Sequence, residues 1–241
     1  MRLVICLPTY NERANLEPIA RRLGEVLAEI EADPRLLVID DSSPDGTGEL
    51  ADRLSGELPF LSVLHRARKE GLGPAYVAGF RWALEQGADR IVQMDADFSH
   101  DPADVPRLLS AAESADLALG SRYVEGGGTQ NWSKGRQAIS RFGSFYARTF
   151  LGVPVHDLTG GFKCWRREAL EALPLERVRT KGYAFQIETT YRASRAGLEV
   201  AEVPIVFAER RTGGSKMTRG IVFEAMWKVP ELRLRAALNR L

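Results

Sequence analysis

Two aspartates, Asp95 and Asp97, stand one residue apart at the end of an apolar run, within QMDADFSH (93–100). Like charges at this spacing repel each other. A solvated turn is one explanation, because aspartate is common where strands end. The other is a divalent cation, which carboxylate oxygens bind well and which would replace the repulsion with attraction. The pair alone leaves both explanations open.

Polar clusters also follow two earlier apolar runs. PTYNE (8–12) comes after the run 3–7, and DDSS (40–43) comes at the end of the run 35–40. The apolar runs alternate with segments of helical hydrophobic spacing, such as 13–32 and 73–86. This alternation predicts a mainly parallel sheet with helices on both faces. The predicted strands are 2–7, 35–40, 60–65, 90–95 and 116–121.

Ligands bind beyond the carboxyl ends of the strands in such a sheet, so the three clusters are expected to meet at one rim. A concentration of carboxylates costs stability, which favours a nucleotide diphosphate bound there with a metal. Tyr10 would flank the base, Asp41 would accept a hydrogen bond from a base N–H, and Asp97 would hold the cation. The chain has no G-x-G-x-x-G or P-loop motif, and Gly71 and Gly73 are expected to form a close turn at the start of a helix.

The composition is that of an ordinary soluble globular protein. Its 241 residues suit one large domain or one domain with appendages, and a net charge of +1 gives no reason to expect nucleic acid as a partner. Two cysteines, Cys6 and Cys164, form no disulfide or zinc pattern, which favours an intracellular compartment. No apolar stretch is long enough for a transmembrane helix, and the N-terminal apolar run is too short for a secretory signal.

The second half of the chain supplies cations. Residues 121–148 contain five basic residues against one acid: Arg122, Lys134, Arg136, Arg141, Arg148 and Glu125. Arginine binds phosphate oxygens with two hydrogen bonds, so this segment suits a second phosphate group beside the metal and nucleotide. A solvated surface is the preferred interpretation for Arg141 and Arg148. The triple glycine 126–128 predicts a segment that is mobile or turns tightly.

Eight motifs in order carry a resemblance to a known family. They are LPTYNE, VIDDSSPDGT, GLGPAY, MDADFSHDP, GSRYVEGGG with NW, DLTGGFK, KGYAFQIE and ER with GSKM. From about residue 2 to about residue 217, the chain resembles the polyprenol-phosphate (dolichol-phosphate) mannose synthases, inverting family-2 glycosyltransferases. The resemblance implies a Rossmann-like nucleotide-binding fold of the GT-A type.

The resemblance also implies roles for individual residues. The guanine nucleoside of GDP-mannose would be held by Pro8, Tyr10, Glu12, Ile39 and Asp41, and its diphosphate would lie along Asp95 and Ala96. Mg²⁺ or Mn²⁺ would bind Asp97, with Ser99 near the metal. The lipid phosphate would bind Arg122, Arg136 and Ser140. Donor phosphates would be contacted, or the site closed, by Lys181, Arg210 and Lys216. The residues expected to carry catalysis are Asp97, Arg122 and Arg136.

The implied reaction moves mannose from GDP-mannose to a polyprenyl (dolichyl-type) monophosphate. A phosphate monoester is largely dianionic at neutral pH, so the nucleophile needs no general base, and in-line attack predicts inversion to a β-mannosyl phosphate. One alternative is a polyprenyl-phosphate glucosyltransferase that uses UDP-glucose. Another is a non-catalytic subunit that binds a nucleotide sugar, although such a protein would not need the acceptor arginines.

The C-terminal segment 218–241 is expected to be an amphipathic helical appendage to a catalytic domain, 1–217. It has five basic and two acidic residues, a net charge of +3, and Pro230 is expected to break or kink it. A helix packed on the core and an interfacial helix touching anionic lipid headgroups are both compatible with this pattern. The protein is expected to be cytoplasmic and peripheral on the cytoplasmic face of a membrane, with a separate membrane-anchoring protein as a further option.

Overall fold

The computed structural model describes residues 1–178, 180, 182, 184–209 and 219–238, without the side chains of 219–225. The first half contains β1 (Arg2–Thr9), α1 (Arg13–Ala28), β2 (Asp33–Asp40), α2 (Thr47–Glu57), β3 (Leu61–His65), α3 (Leu72–Glu85), β4 (Arg90–Gln93), α4 (Val105–Ala111) and β5 (Leu117–Ser121). The second half contains β6 (Gly128–Thr129), α5 (Lys134–Leu151), β7 (Lys163–Arg166), α6 (Arg167–Glu171), α7 (Ala184–Arg195), β8 (Val200–Pro204), β9 (Val206–Phe207) and α8 (Arg219–Ala237).

Seven of these strands form one sheet in the order β3-β2-β1-β4-β7-β5-β8. Pairings are parallel except for those of β7, which runs antiparallel to both β4 and β5. The prediction of a mainly parallel sheet is therefore confirmed. The five predicted strands are all present, with ends shifted by one or two residues.

The central strand β1 explains why helices cover both faces of this sheet. Leu3 to Leu7 are completely buried, as expected of a strand in a parallel sheet. Because side chains alternate along a strand, Leu3, Ile5 and Leu7 pack with α1, α2 and α4, whereas Val4 and Cys6 pack with α3 and α7. The sheet is thus the middle layer between two layers of helices.

The three polar clusters lie where the sequence predicts them, at one rim. β2, β1 and β4 are neighbours in the sheet, and their carboxyl ends lead directly into the clusters. The chain turns sharply after each strand, with left-handed backbone at Asn11 (φ 57°), Ser42 (φ 60°) and Phe98 (φ 62°). Non-glycine residues rarely adopt this conformation, and strained backbone of this kind clusters at functional sites. β4 ends at Gln93 and not at the predicted 95, so Asp95 and Asp97 both stand in the loop.

The glycine-rich segment 126–128 is a tight turn. Gly126 has a φ of 83°, and a Cβ on Gly127 would lie 2.5 Å from the carbonyl oxygen of Ser121. The turn leads into β6, which pairs with β9 beside the main sheet. Of the two predicted behaviours of this segment, the tight turn is the one observed.

The C-terminal helix α8 packs on the protein. Val229, Leu232 and Ala236 are buried in a cluster with residues of α5 and α7. The helix continues through Pro230, so of the predicted break or kink the break does not occur; the packing of the next turn onto the core outweighs the hydrogen bond that proline cannot donate. No helix in the described part of the chain is long and apolar enough to cross a membrane.

The predicted close turn before α3 is confirmed, and its glycines leave room for a neighbouring segment. Gly71 precedes the helix with a φ of 105°, a conformation that other residues rarely adopt. A Cβ on Gly73 would lie 2.3 Å from the backbone oxygen of Thr180, inside van der Waals contact. Thr180 can therefore lie this close to α3 only because residue 73 has no side chain.

We expect Gly73→Ala to destabilise the protein by about 1–3 kcal/mol, the usual cost of overpacking. Gly56→Ala is the matched control, because a Cβ at that helical position meets nothing within 4 Å, and it should be neutral or stabilising by about 0.5–1 kcal/mol. Urea unfolding of both variants measures the difference. Equal stability of the two variants would show that the segment around Thr180 yields without cost.

Candidate active site

A cleft of about 350 Å³ opens at the rim where β1, β2 and β4 end. Nine of the predicted site residues line it: Pro8, Tyr10, Glu12, Asp41, Asp95, Ala96, Asp97, Arg122 and Arg136. The structure thus brings acidic residues from the first half of the chain and arginines from the second half to one cavity.

Three predicted residues lie away from the cleft lining. Ile39 is completely buried between the sheet and α3, where a Cβ on Gly79 would lie 2.4 Å from its Cδ1, so its side chain belongs to the core. Ser99 is buried next to Asp97. Ser140 is buried on α5, and its Oγ accepts a hydrogen bond from the Tyr123 hydroxyl at 2.6 Å. Lys181, Arg210 and Lys216 lie outside the described residues, although Gly182 lines the cleft.

Asp41 organises the loop that closes one end of the cleft. Its carboxylate accepts hydrogen bonds from the guanidinium of Arg66 and from the backbone N–H groups of Glu70 and Gly71, both at 3.1 Å. The same loop places the ammonium group of Lys69 3.6 Å from the centre of the Tyr10 ring. A cation over an aromatic face is favourable, so an aromatic base stacking on that face of Tyr10 would take the place of Lys69.

The loop after β4 is held by hydrogen bonds to its neighbours. The backbone N–H of Ser99 donates to Asp97 Oδ1 at 3.0 Å, and the Tyr76 hydroxyl donates to Asp95 Oδ1 at 3.4 Å. The backbone N–H of Asp95 donates to Nδ1 of His100 at 3.1 Å. Burial lowers the pKa of His100, and the accepting Nδ1 carries no proton, so the ring is neutral and its proton lies on Nε2.

The donor set of this loop fits a divalent cation that shares its ligands with a substrate. Asp95 and Asp97 line the cleft and offer hard carboxylate oxygens. No group of three or more His, Cys, Asp or Glu side chains that could hold a metal occurs in the described part of the chain. Magnesium is commonly held by one or two carboxylates together with substrate phosphates. Asp95 and Asp97 supply two carboxylates here.

Arg122 is fixed by a buried ion pair. Its Nε and Nη2 donate to the two carboxylate oxygens of Asp157, both at 2.7 Å, and Nη2 also donates to Thr159 Oγ1 at 2.7 Å. Burial acts to raise the pKa of Asp157, but the charge and hydrogen bonds of Arg122 outweigh it, so the pKa lies below its usual value. The pair therefore stays charged at neutral pH, with Arg122 at the cleft wall.

Aromatic rings surround the cationic side of the cleft. The guanidinium carbon of Arg136 lies 4.0 Å from the centre of the Trp132 ring, and the guanidinium carbon of Arg122 lies 5.4 Å from the Phe207 ring. The buried Nε of Arg136 and Nε1 of Trp132 have no hydrogen-bond partner among the described residues. An anionic ligand in the cleft could satisfy such donors, since buried polar groups are normally paired.

Below the cleft, a buried lysine supports the lining residue Gln186. Nζ of Lys163 donates to the backbone oxygen of Gln186 at 3.0 Å, to its Oε1 at 2.9 Å and to Thr189 Oγ1 at 3.1 Å. Gln93 Nε2 donates to the same Oε1 at 3.2 Å. Burial lowers the pKa of Lys163 to about 7, although the charge of Asp157 acts in the opposite direction.

Several lining residues were not assigned roles from the sequence: Lys69, His100, Trp132, Thr159, Gln186 and Phe207. Most of them stand inside or beside motifs that carry the family resemblance, for example His100 in MDADFSHDP and Thr159 in DLTGGFK. The motifs therefore indicate that these segments belong to the site, but they do not indicate which of their side chains line the cleft. Lys69 has no such signal, because it reaches the cleft through the fold of its loop.

The buried Lys163 predicts a pH dependence of stability. Its pKa is depressed in the folded state, so between about 7 and the ordinary lysine pKa of 10.5 the unfolded chain binds a proton that the folded chain does not. The free energy of unfolding of the wild type, relative to Lys163→Met, should therefore rise with pH across this window and be flat below it. Urea unfolding at several pH values measures this difference. A difference that does not change with pH would place the folded pKa near that of a free lysine.

Comparison with known proteins identifies the family of this chain. The Glycosyl transferase family 2 model matches residues 4–173. An undecaprenyl-phosphate mannosyltransferase from Micrococcus luteus is 48% identical over 236 residues, covering 98% of this chain and 96% of that protein. A polyprenol monophosphomannose synthase from Mycolicibacterium smegmatis is 48% identical over 241 residues, covering 99% of this chain and 89% of that protein.

Solved structures support the architecture. Glucosyl-3-phosphoglycerate synthase from Mycobacterium tuberculosis, in complex with Mn²⁺, UDP-glucose and phosphoglyceric acid, superposes with a TM-score of 0.65. It is 20% identical, and the match covers 97% of this chain and 78% of that one, a likeness of fold. The resemblance found in the sequence is confirmed: this chain belongs to glycosyl transferase family 2 and has a GT-A type fold.

Proposed function

We propose that this protein transfers mannose from GDP-mannose to a polyprenyl monophosphate at the cytoplasmic face of a membrane. The transfer inverts the anomeric carbon and gives a polyprenyl β-mannosyl phosphate and GDP. The names of two relatives, each 48% identical, support the sugar and the acceptor class. The guanine base and the inversion rest on the motif resemblance and on the layout of the cleft.

The division of charge across one cleft carries this proposal. Asp95 and Asp97 follow β4, whereas Arg122 follows β5 and Arg136 lies in the first turn of α5, and all four line the cleft. The acidic side suits a diphosphate bound with a cation, and the basic side suits a second phosphate group. A protein that only bound a nucleotide sugar would have no use for the second side.

The proposed reaction depends on positioning of the two substrates more than on proton transfer. A phosphate monoester has a second pKa near 6, so it attacks without a general base. A bond forms between its oxygen and the anomeric carbon while the bond from that carbon to GDP breaks, and the electron pair leaves with GDP. Arg122, held by Asp157, and Arg136, stacked on Trp132, would orient the attacking phosphate and screen its charge.

A divalent cation would complete the acidic side. Asp97 would hold Mg²⁺ or Mn²⁺ with Asp95 beside it, and the cation would stabilise the charge that develops on the departing diphosphate. Mn²⁺ is present in the complex of the mycobacterial glucosyl-3-phosphoglycerate synthase, which shares the fold. Both carboxylates line the cleft, which supports this assignment.

The test is to mix purified protein with labelled GDP-mannose or labelled UDP-glucose, a polyprenyl phosphate and Mg²⁺, and to measure organic-extractable label. Label from GDP-mannose with a β anomeric configuration by NMR is the expected result. If only labelled UDP-glucose gives organic-extractable label, the donor is UDP-glucose and the proposed donor is wrong. Donor binding without any transfer would favour a non-catalytic subunit.

We expect Asp97→Asn to lower kcat at least about 100-fold, because a bound cation contributes several kcal/mol of charge stabilisation. Asparagine keeps the oxygen that accepts the Ser99 N–H, so the loop should stay folded. Asp101→Asn is the matched control: Asp101 is exposed nearby, does not line the cleft, and keeps its hydrogen bond to Ala103 as asparagine. Turnover of Asp97→Asn close to that of Asp101→Asn, still dependent on metal, would remove Asp97 from the metal site.

Arg136→Lys and Arg136→Ala should both raise KM for the polyprenyl phosphate by about tenfold or more, as expected for lost hydrogen bonds to a charged group. Arg136→Lys should recover little of the affinity for the acceptor, since one ammonium group cannot form the two parallel hydrogen bonds that a guanidinium makes to phosphate. The Kd for GDP-mannose, measured by calorimetry, serves as the internal control and should not change. A weaker donor Kd with an unchanged acceptor KM would assign Arg136 to the donor diphosphate.

A further inference from the structure

Helix α5 has its apolar residues on the wrong side for a soluble protein. Its buried residues are small or polar for the most part: Ser140, Ser144, Ala147 and Leu151. Its large apolar side chains face outward, with exposures of 53% for Ile139, 63% for Phe142, 58% for Phe145 and 42% for Phe150. A helix at a protein surface normally buries its apolar stripe, so this arrangement requires an explanation.

The outward face of α5 is also uncharged. With about 100° of rotation per residue, eight residues of α5 project within an arc of about 140° on the side away from the core. These positions are Gly135, Ala138, Ile139, Phe142, Phe145, Tyr146, Thr149 and Phe150. We call this surface the aromatic face. Ring contacts run along it: Phe142 stacks on Tyr146, and Tyr146 meets Phe150 at a tilt of 38°.

Helix α8 extends the aromatic face. The Tyr146 hydroxyl donates to the backbone oxygen of Met226 at 3.1 Å, which ties the two helices together at this point. Met226 is exposed, and Trp227 beside it is 78% exposed. A contiguous exposed apolar patch of this kind marks an interaction surface.

A basic flank borders the aromatic face on one side. Lys134, Arg141 and Arg148 lie along one edge of the uncharged arc, and α5 contains no acidic residue. Between this flank and the body of the protein lies a pocket of about 250 Å³, lined by Tyr123, Arg141, Phe145, Arg148 and His156. Cations beside an apolar surface match anionic headgroups beside hydrocarbon.

We propose that the aromatic face docks on an anionic lipid bilayer, with the pocket of the basic flank receiving a phospholipid headgroup phosphate. The proposal deepens the proposed function, because a polyprenyl phosphate acceptor lies in such a bilayer. Arg136 in the first turn of α5 lines the cleft, so the helix that binds the membrane also leads to the proposed acceptor site. A second copy of the chain is the less favourable occupant, because pairing two such faces would bring basic flanks together.

Point substitutions test this surface better than truncation. Deleting residues 218–241 would also remove the buried Val229, Leu232 and Ala236 and expose the core. Phe142 and Phe145 are exposed and lie outside the cleft lining, so their replacement should leave the fold and the reaction intact. Thermal unfolding of each variant checks the fold.

The experiment is flotation of the full chain with vesicles of phosphatidylcholine, with or without phosphatidylglycerol. Wild type should bind the anionic vesicles, and less so in high salt. Phe142→Ser with Phe145→Ser should weaken binding at least about tenfold, whereas the control Phe142→Leu with Phe145→Leu should keep most of it. Arg141→Gln and Arg148→Gln should each cost about fivefold on anionic vesicles. Arg53→Gln, an exposed site on α2, is the control for charge.

Transfer to a short-chain, water-soluble polyprenyl phosphate separates this proposal from the proposed function. The Phe142 and Phe145 variants should keep this activity while losing flotation. If the wild type floats with the vesicles but transfers no mannose, the proposed reaction is wrong and the docking surface stands. Flotation of the serine variant equal to that of wild type would overturn the docking surface. So would a dimer in light scattering that the serine variant dissociates, because the occupant would then be a second copy.

Discussion

The ion pair between Arg122 and Asp157 is the contact on which the cationic half of the cleft depends. Two buried charges are stable together only when further hydrogen bonds satisfy them, and here the backbone N–H of Arg122 and the hydroxyl of Thr159 do so. The pair joins the end of β5 to the loop before β7. Removing one partner would leave an uncompensated buried charge, at a cost of about 3–5 kcal/mol. The fold itself therefore fixes Arg122 at the cleft wall before any ligand binds.

The antiparallel strand β7 explains how this pair reaches the rim. In a parallel strand the loop that follows the strand lies at the carboxyl rim, as after β1, β2 and β4. Because β7 runs in the opposite direction between β4 and β5, the loop before it, 157–162, arrives at that rim instead. Asp157 thus meets Arg122, and Thr159 to Gly161 line the cleft. One reversed strand thus joins the acidic half of the cleft to the cationic half.

Much of the acidic half could be predicted from the sequence, because it depends on local patterns. Short apolar runs followed by polar clusters, together with the rule for parallel sheets, were enough to place Tyr10, Asp41 and Asp97 at one rim. Ile39 and Ser140 show the limit: whether a side chain faces the cleft depends on the packing of α3 against β2 and of Tyr123 against α5. The partner of Arg122 lies 35 residues further along the chain, and this pairing follows only from the placement of β7. Periodicity carries no information about such contacts.

The unusual polarity of α5 follows from what its inner face must contact. Ser144 lies within hydrogen-bond distance of Asp157 and Thr159 and so helps to satisfy the buried charges, and Ser140 accepts a hydrogen bond from the Tyr123 hydroxyl. Large apolar residues on the inner face of α5 would leave these buried polar groups without partners. The large apolar residues of the helix accordingly lie on its outward face. Phe142 follows Arg136 by six positions, about 9 Å along the helix axis. A single rigid helix thus joins the proposed phosphate-binding Arg136 to the proposed membrane-docking surface.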